Sequence, residues 1–206
     1  MAGLREKQKA DRRRRILTAS SLLFKQSGYQ EVHINQIAEC AEVSVGTFYN
    51  YFKTKADLLL STVSMEVEEV LQQGDSILKD PPEDPVEALM ALTRLYYDHS
   101  LVYLSKEMWR TAMAAAIQEG QSPFSIRYRE LDKGLCAQVC GLLEVLQENG
   151  RLSADMDTRA MGEVIFNNLN AMFTEYSIDE TFTLDELKDR VLRQTRAVMQ
   201  PLIGAA

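Results

Sequence analysis

Histidine, cysteine and long apolar runs are scarce in this chain of 206 residues, which holds two histidines and three cysteines. No Ser/His/Asp set, phosphate-binding loop or metal-ligand cluster is legible, so the sequence predicts neither a cofactor nor a metal. An odd number of cysteines (Cys40, Cys136 and Cys140) favours reduced thiols over a disulfide framework. Cys136 and Cys140 are four apart and share a helix face, which leaves a redox switch as an alternative.

No stretch reaches the roughly 18 to 20 uninterrupted apolar residues that cross a bilayer. The N-terminus is charged from Arg5 onward, and the apolar run that follows the charged start of a signal peptide is not present in the sequence. We therefore predict a cytoplasmic protein with no membrane partner.

Charge is unevenly distributed along the chain. Lysine and arginine number 23 against 30 acidic residues, a net charge of −7. Residues 1–60 hold ten basic and six acidic residues, or +4, and the remainder carries −11. A basic head on an acidic body predicts that one end of the chain meets a polyanion.

Apolar residues recur at helical spacing, and no useful segment alternates with a period of two, so the chain is predicted to be all-α with about nine helices. Helices near 34–41 and 45–51 are separated by three residues, of which Ser44 can cap the second helix. This spacing is typical of a helix-turn-helix, whose second helix enters the DNA major groove. Prolines within 80–85 end the fourth helix, and N-cap patterns at Asp84 and Thr183 begin two later ones.

One run of residues resembles a known family. Gly28-Tyr29, Ile37-Ala38 and the segment AEVSVGTFYNYFKTK at 41–55 resemble the DNA-binding head of the tetracycline-repressor (TetR) family. The resemblance implies a DNA-binding domain at 10–70, with its helix-turn-helix at about 33–52. It also implies an effector-binding and dimerisation domain at 71–206.

Side-chain chemistry and this resemblance together predict the DNA contacts. Asn50 can pair with adenine, and the methyl groups of Val45 and Thr47 can touch thymine. Gly46 leaves room for close approach of the backbone to DNA. The resemblance gives Tyr49 a phosphate contact, and a phosphate beside Lys55 would also meet helix amides. The predicted DNA-binding set is Arg14, Arg15, His33, Ser44, Val45, Gly46, Thr47, Tyr49, Asn50, Tyr51 and Lys55.

Two residues depart from the family pattern. His33 stands where relatives usually have threonine or serine, so the capping hydroxyl of the second helix is lost. Glu42 replaces the turn glycine, which places a β-carbon where positive φ is often needed and a negative charge near DNA.

The last two helices are predicted to form a dimer interface, because a palindromic site is bound by a two-fold dimer. Apolar residues recur at spacings of 3, 4 and 7 in the last helix, and the helix before it is apolar on two faces. The predicted interface residues are Phe166, Phe173, Leu184, Leu187, Val191 and Val198.

The resemblance further implies an inducer cavity among the middle helices. Aromatic, methionine and polar residues there are its predicted lining, although such a stripe is also typical of ordinary core. The predicted lining is Tyr96, Tyr97, His99, Tyr103, Trp109, Met113, Phe124, Tyr128, Asn168 and Met172.

These observations predict a dimeric repressor that binds a near-palindromic operator in double-stranded DNA. A small hydrophobic or amphipathic inducer would release it by shifting the population of conformations. Two alternatives stay open, a DNA-binding regulator controlled by a protein partner and a helical enzyme.

Overall fold

The computed structural model describes residues 2–118 and 120–202. Within those residues the chain forms nine α-helices, a short terminal 3-10 helix and no strand, which confirms the all-α prediction. The α-helices are α1 (Ala2–Ser27), α2 (Ile34–Cys40), α3 (Val45–Tyr49), α4 (Lys55–Lys79), α5 (Pro85–His99), α6 (Lys106–Gln118), α7 (Pro123–Glu148), α8 (Thr158–Ile178) and α9 (Leu184–Met199).

Polar N-caps begin several of these helices. The carboxylate of Asp84 accepts from the Glu87 amide at 2.9 Å, and Pro85 follows at the first helical position. At α9, the Thr183 hydroxyl accepts from the Glu186 amide at 3.2 Å, and the Glu186 carboxylate accepts from the Thr183 amide at 2.8 Å. Both predicted N-cap patterns are confirmed, since each satisfies amides that would otherwise lack a partner.

The chain divides into two compact units. The head unit comprises residues 1–65 and 103–128, and the body unit comprises 66–102 and 129–206. The sequence placed the domain boundary at 70/71, but by packing α6 and the start of α7 belong with the helix-turn-helix. Within the head unit, α1 to α4 enclose a core that includes Ile16, Phe24, Ile37, Phe48, Phe52 and Leu58.

The core of the body unit corrects the predicted dimer seam. Leu187 and Val191 are 0% exposed, because α9 packs them against α5 and α8 of the same chain. Phe166 is also buried, and Phe173 stacks on Tyr97 with ring centroids 5.9 Å apart. Leu187, Val191 and Phe166 thus stabilise the unit itself and leave no surface for a partner, whereas Phe173 is only half-buried. Of the predicted interface, Val198 is exposed and Leu184 is half-buried.

The thiols on α7 are poorly activated for redox chemistry. Burial raises the pKa of the Cys140 thiol to about 11 and also raises the pKa of Cys136. Both thiols are therefore protonated near neutral pH, and a protonated thiol is a weak nucleophile. Cys140 packs so tightly against Gly162 that a Cβ there would lie 2.5 Å from its sulfur. Its position indicates a packing role at the α7–α8 crossing.

No helix in the described part of the chain is long and apolar enough to span a membrane.

Candidate nucleic-acid interface

The turn between α2 and α3 is a Schellman motif built on Glu42. The Val43 amide donates to the Ala38 carbonyl and the Glu42 amide to the Glu39 carbonyl, each at 2.9 Å. Glu42 adopts φ +52°, the left-handed conformation that costs an ordinary residue about 1–2 kcal/mol. The sequence-based expectation of positive φ at this position is confirmed.

Arg15 stabilises this turn instead of projecting toward DNA. Its guanidinium donates to the Ala41 carbonyl at 2.6 Å and to the Glu42 carboxylate at 2.8 Å. It thereby caps the carboxyl end of α2. It also pairs with the negative charge of Glu42, which the glycine usual in the family would not carry. Both side chains are substantially exposed, so the ion pair contributes about 0.5 kcal/mol. We reassign Arg15 from a DNA contact to a positioning residue.

A cap and a single buried side chain fix α3. The Ser44 hydroxyl accepts from the Thr47 amide at 3.0 Å and lies 2.8 Å from the Thr47 hydroxyl. Phe48 is fully buried, with ring centroids 5.6 Å from Tyr49 and 5.8 Å from Phe52. A helix of five residues held in this way presents its other side chains in a defined orientation.

The outward face of α3 carries most of the predicted base-reading residues. Val45 is 37% exposed and Tyr49 is 51% exposed, while Gly46 and Asn50 are also exposed. Thr47 is half-buried, and its hydroxyl already bonds Ser44, which leaves its methyl group for an apolar contact. The structure thus brings these residues together on one surface.

Among the described residues, nothing requires glycine at position 46. A Cβ placed there would have only the Ser44 hydroxyl within 4 Å, at 3.9 Å, and its φ is not positive. Glycine nevertheless weakens a helix by up to about 1 kcal/mol relative to alanine. The described part of the fold therefore gives no reason for glycine at this position.

Lys55 does not have the predicted role. Its ammonium donates to the carbonyls of Tyr29, Gln30 and Val32 at 2.7, 3.0 and 3.1 Å, which uses all three of its hydrogens. It also lies 4.7 Å from the centre of the Tyr29 ring, and desolvation lowers its pKa. Lys55 holds the segment between α1 and α2, and no donor is left for a phosphate.

The same segment is also held by α6. The Glu107 carboxylate accepts from the Tyr29 amide at 3.2 and 3.3 Å, and the Ser21 hydroxyl of α1 donates to the Tyr103 carbonyl at 2.5 Å. Gly28, at φ +86°, ends α1 beside Glu107. Sequence reasoning missed Glu107, because its partner is a backbone amide 78 residues away.

The remaining predicted DNA-binding residues differ in their exposure and in their contacts. His33 and Tyr51 are exposed and half-exposed at the two ends of the helix-turn-helix. His33 makes no side-chain cap, and the Gln36 side chain accepts from its amide at 2.7 Å. Arg14 lines a surface groove between α1 and the turn after α2, together with Leu22, Cys40 and Glu42. The sequence did not single out Arg13, whose guanidinium lies 5.7 Å from the centre of the Phe52 ring.

The predicted inducer lining is split between the two units. Tyr103, Trp109, Met113, Phe124 and Tyr128 belong to the head unit, and the other five to the body unit. Several of those five make internal hydrogen bonds: Tyr97 donates to the Leu169 carbonyl at 3.0 Å, Tyr96 to Gln138 at 2.9 Å, and Asn168 to Gln194 at 2.9 Å. His99 lies 2.6 Å from Glu66, and Met172 accepts from Gln194 at 3.5 Å. Asn168 and Met172 therefore join α8 to α9.

Comparison with known proteins agrees with this geometry. A family model described as "Bacterial regulatory proteins, tetR family" matches residues 16–62, which contain the helix-turn-helix. The fatty acid metabolism regulator protein of Bacillus subtilis is 24% identical over 193 residues, covering 90% of this chain and 94% of that protein. The transcriptional repressor KstR of Rhodococcus jostii is 39% identical over 83 residues, and the chain spans only 37% of its length.

A solved structure extends the likeness to the whole fold. Thermus thermophilus FadR, described as a TetR-family transcriptional repressor in complex with lauroyl-CoA, is 26% identical with a TM-score of 0.62. The alignment covers 94% of this chain and 97% of that one. The relatives are transcriptional regulators, and an open recognition helix follows the family pattern in residues 16–62. This chain belongs to the TetR family of bacterial transcriptional regulators.

Proposed function

We propose that the protein is a homodimeric, cytoplasmic repressor that binds a near-palindromic operator and is released by an amphipathic ligand. The exposed face of α3 carries the proposal. Val45, Gly46, Tyr49 and Asn50 form a surface on a rigidly capped helix, and glycine at position 46 has no internal reason. Asn50, Val45 and Thr47 would contact base edges. Tyr49 would bind a backbone phosphate and so orient the helix.

The dimer is proposed to form through the outward face of α8, in place of the predicted α9 seam. Six exposed residues recur there at alternating spacings of four and three: Ala160, Val164, Asn167, Ala171, Thr174 and Ile178. Val164 is 57% and Ile178 is 65% exposed, and the residues between them are small or polar. This is the period with which two helices pack side by side, and a two-fold axis places it against itself.

For the ligand we propose a fatty acyl-CoA thioester. The support is the likeness to regulators of fatty acid metabolism, one of which was solved with lauroyl-CoA. Within the head unit, Glu107 of α6 accepts from the Tyr29 amide. Tyr103, in the segment before α6, accepts from the Ser21 hydroxyl through its carbonyl. A ligand that displaces α6 would therefore move the segment that precedes α2, and it would favour a conformation with lower operator affinity.

Fluorescence anisotropy with DNA from upstream of the protein's own gene tests the DNA-binding proposal. We expect tighter binding to this duplex than to a scrambled duplex of equal length. Asn50→Ala should reduce the preference by about tenfold, the cost of one lost base pair contact. Asn149→Ala, an exposed asparagine in the body unit, is the matched control and should bind like the wild type. An equal affinity of the wild-type protein for both duplexes would contradict the proposal.

Lauroyl-CoA, stearoyl-CoA and free coenzyme A, added to the protein–DNA complex, test the ligand proposal. The two thioesters should release DNA and raise the unfolding temperature of the free protein, whereas coenzyme A alone should do neither. Release of DNA by lauroyl-CoA but not by stearoyl-CoA would indicate a ligand with a shorter acyl chain, still within the class of acyl-CoA thioesters. No effect from any thioester would favour control by a protein partner.

Sedimentation of Val164→Arg tests the dimer surface. A charge at the second residue of the α8 stripe should give the 23.4 kDa mass of one chain, while thermal unfolding of each unit stays cooperative. Arg193→Ala, on the exposed side of α9, is the control and should stay dimeric. A dimeric Val164→Arg protein would place the interface elsewhere.

A further inference from the structure

The amino-terminal half of α1 precedes the residues that the family model matches. The matched region starts at residue 16, whereas α1 begins at Ala2, so about 14 residues, or roughly 20 Å of helix, precede it. Every residue from 6 to 15 is exposed. Residues 1–15 contain seven basic and two acidic residues, a net charge of +5. We call residues 2–15 the arm.

One face of α1 changes character where the arm begins. Ile16, Ser20 and Phe24 are buried against the rest of the head unit. Going toward the amino terminus at the same helical spacing, the next positions are Arg13 and Lys9, and Arg12 flanks them. The face of α1 that is buried from Ile16 onward is therefore basic in the turns before Ile16.

The contact between Arg13 and Phe52 shows where this basic face lies. The guanidinium of Arg13 is 5.7 Å from the centre of the Phe52 ring, and Phe52 is three residues beyond Tyr49 at the end of the helix-turn-helix. Arg15 points to the other side of α1, to Ala41 and Glu42. By helical spacing Lys9 therefore lies on the same side of α1 as Arg13, and Arg12 lies between the directions of Arg13 and Arg15.

At Lys9 and Arg12 the arm departs from the rules of helix stability, and no contact with the described residues compensates for it, whereas Arg13 and Arg15 contact Phe52 and the turn after α2. The first turn of the arm has no acidic residue, although acids are favoured there and bases disfavoured by the helix dipole. Four successive arginines repel one another, and Lys9 and Arg12 make no hydrogen bond or ion pair with any residue that the structure describes. Sequences that oppose local stability in this way are typical of functional surfaces.

We propose that Lys9 and Arg12 bind the phosphate backbone of DNA beside each half-site, as a second contact additional to α3. The inference rests on the proposed operator binding. A contact with phosphates gives affinity and orientation without reading sequence, and its strength depends on salt because counterions are released. The arm would thus strengthen binding to all DNA equally, while α3 supplies the preference for the operator.

Salt titration of a double variant tests this. Lys9→Gln/Arg12→Gln should flatten the slope of log K against log salt by about 0.9 for each lost contact, or about 3.6 for two contacts in each of two protomers. Its affinities for the upstream duplex and the scrambled duplex should fall by the same factor. The matched control, Lys7→Gln/Arg14→Gln, removes the same charge from the opposite face and should flatten the slope by less than half as much.

Three outcomes would overturn the proposal. The slope of Lys9→Gln/Arg12→Gln could equal that of the wild type, or the control could flatten it equally, which would indicate diffuse charge instead of a contact face. An unchanged slope with lost binding to vesicles containing anionic lipid would assign the arm to membranes. A wild-type protein that does not prefer the upstream duplex would contradict the proposed function alone, because the slopes of the variants stay comparable on any duplex.

Discussion

The recognition helix α3 and the last helix α9 differ in how they use residues that the sequence predicted to meet a partner. Val45 and Tyr49 of α3, and Asn50 directly after it, are exposed. On α9, Leu187 and Val191 are fully buried in the body unit. An apolar heptad can pack in the core of its own chain as well as against a partner, so the pattern alone does not identify a dimer interface. A side chain that is exposed and not required for folding is the better indication of a binding surface.

Shortening Leu187 has the largest expected effect on this comparison. Leu187→Ala should lower the free energy of unfolding by about 3 kcal/mol, because it leaves a cavity in the body core. Val198→Ala, at an exposed position of the same helix, should change it by less than about 0.5 kcal/mol. Urea unfolding at fixed protein concentration measures both. A Leu187→Ala protein that keeps its stability but loses its dimer would restore the predicted seam.

Removing the Lys55 ammonium should have the next largest effect. Lys55→Met should destabilise the protein by about 2 kcal/mol, since three charge-assisted hydrogen bonds to carbonyls are lost at a partly exposed site. Its salt slope for DNA binding should stay that of the wild type. Lys53→Met, at an exposed neighbouring position, should leave the unfolding free energy unchanged. A reduced salt slope in Lys55→Met would return this residue to the DNA interface.

Gly46→Ala separates folding from binding. It should stabilise the protein by about 0.5 kcal/mol, because alanine is the better helix former and its Cβ meets no obstacle. Affinity for the upstream duplex should fall about tenfold, or ~1.4 kcal/mol, because the added methyl group keeps the backbone from DNA. Thermal unfolding and anisotropy measure the two effects. Unchanged affinity would show that the α3 surface is open at position 46 without being used.

Glu42→Gly is expected to give the smallest change. Relief of the left-handed strain is offset by the flexibility of glycine in the unfolded chain and by the lost pair with Arg15, so stability should shift by less than about 1 kcal/mol. DNA should bind slightly more tightly, since one negative charge beside the interface is removed. Glu42→Ala keeps the strain without the pair and should be the less stable of the two variants in urea.

Local features of the head could be predicted from the sequence. The Ser44 cap, the end of α1 at Gly28, the buried Phe48 and the positive φ of Glu42 depend on neighbours within a few residues. Spacing and side-chain chemistry therefore determine them. The exposed face of α3 followed in the same way, because a short amphipathic helix has only one face to bury.

Contacts between distant residues could not be predicted. Lys55 was assigned to phosphate because a phosphate beside a lysine in the first turn of a helix would also meet the helix amides, yet three carbonyls of the segment after α1 accept from it. Arg15 was assigned to DNA by its position in an arginine run, and the turn 26 residues later binds it. In α9 the periodicity was correct, but periodicity does not identify the surface that covers it.

The inclusion of residues 103–128 in the head unit affects how such regulators are recombined into biosensors. A chimera joined near residue 70 would separate α1 from Tyr103 and the Tyr29 amide from Glu107, even though the helix-turn-helix itself is intact. Transplanting the head requires three junctions, after residues 65, 102 and 128. Heads exchanged in this way bring their own copy of α6, so under the proposed mechanism the donor of the head would also determine part of the response to the inducer.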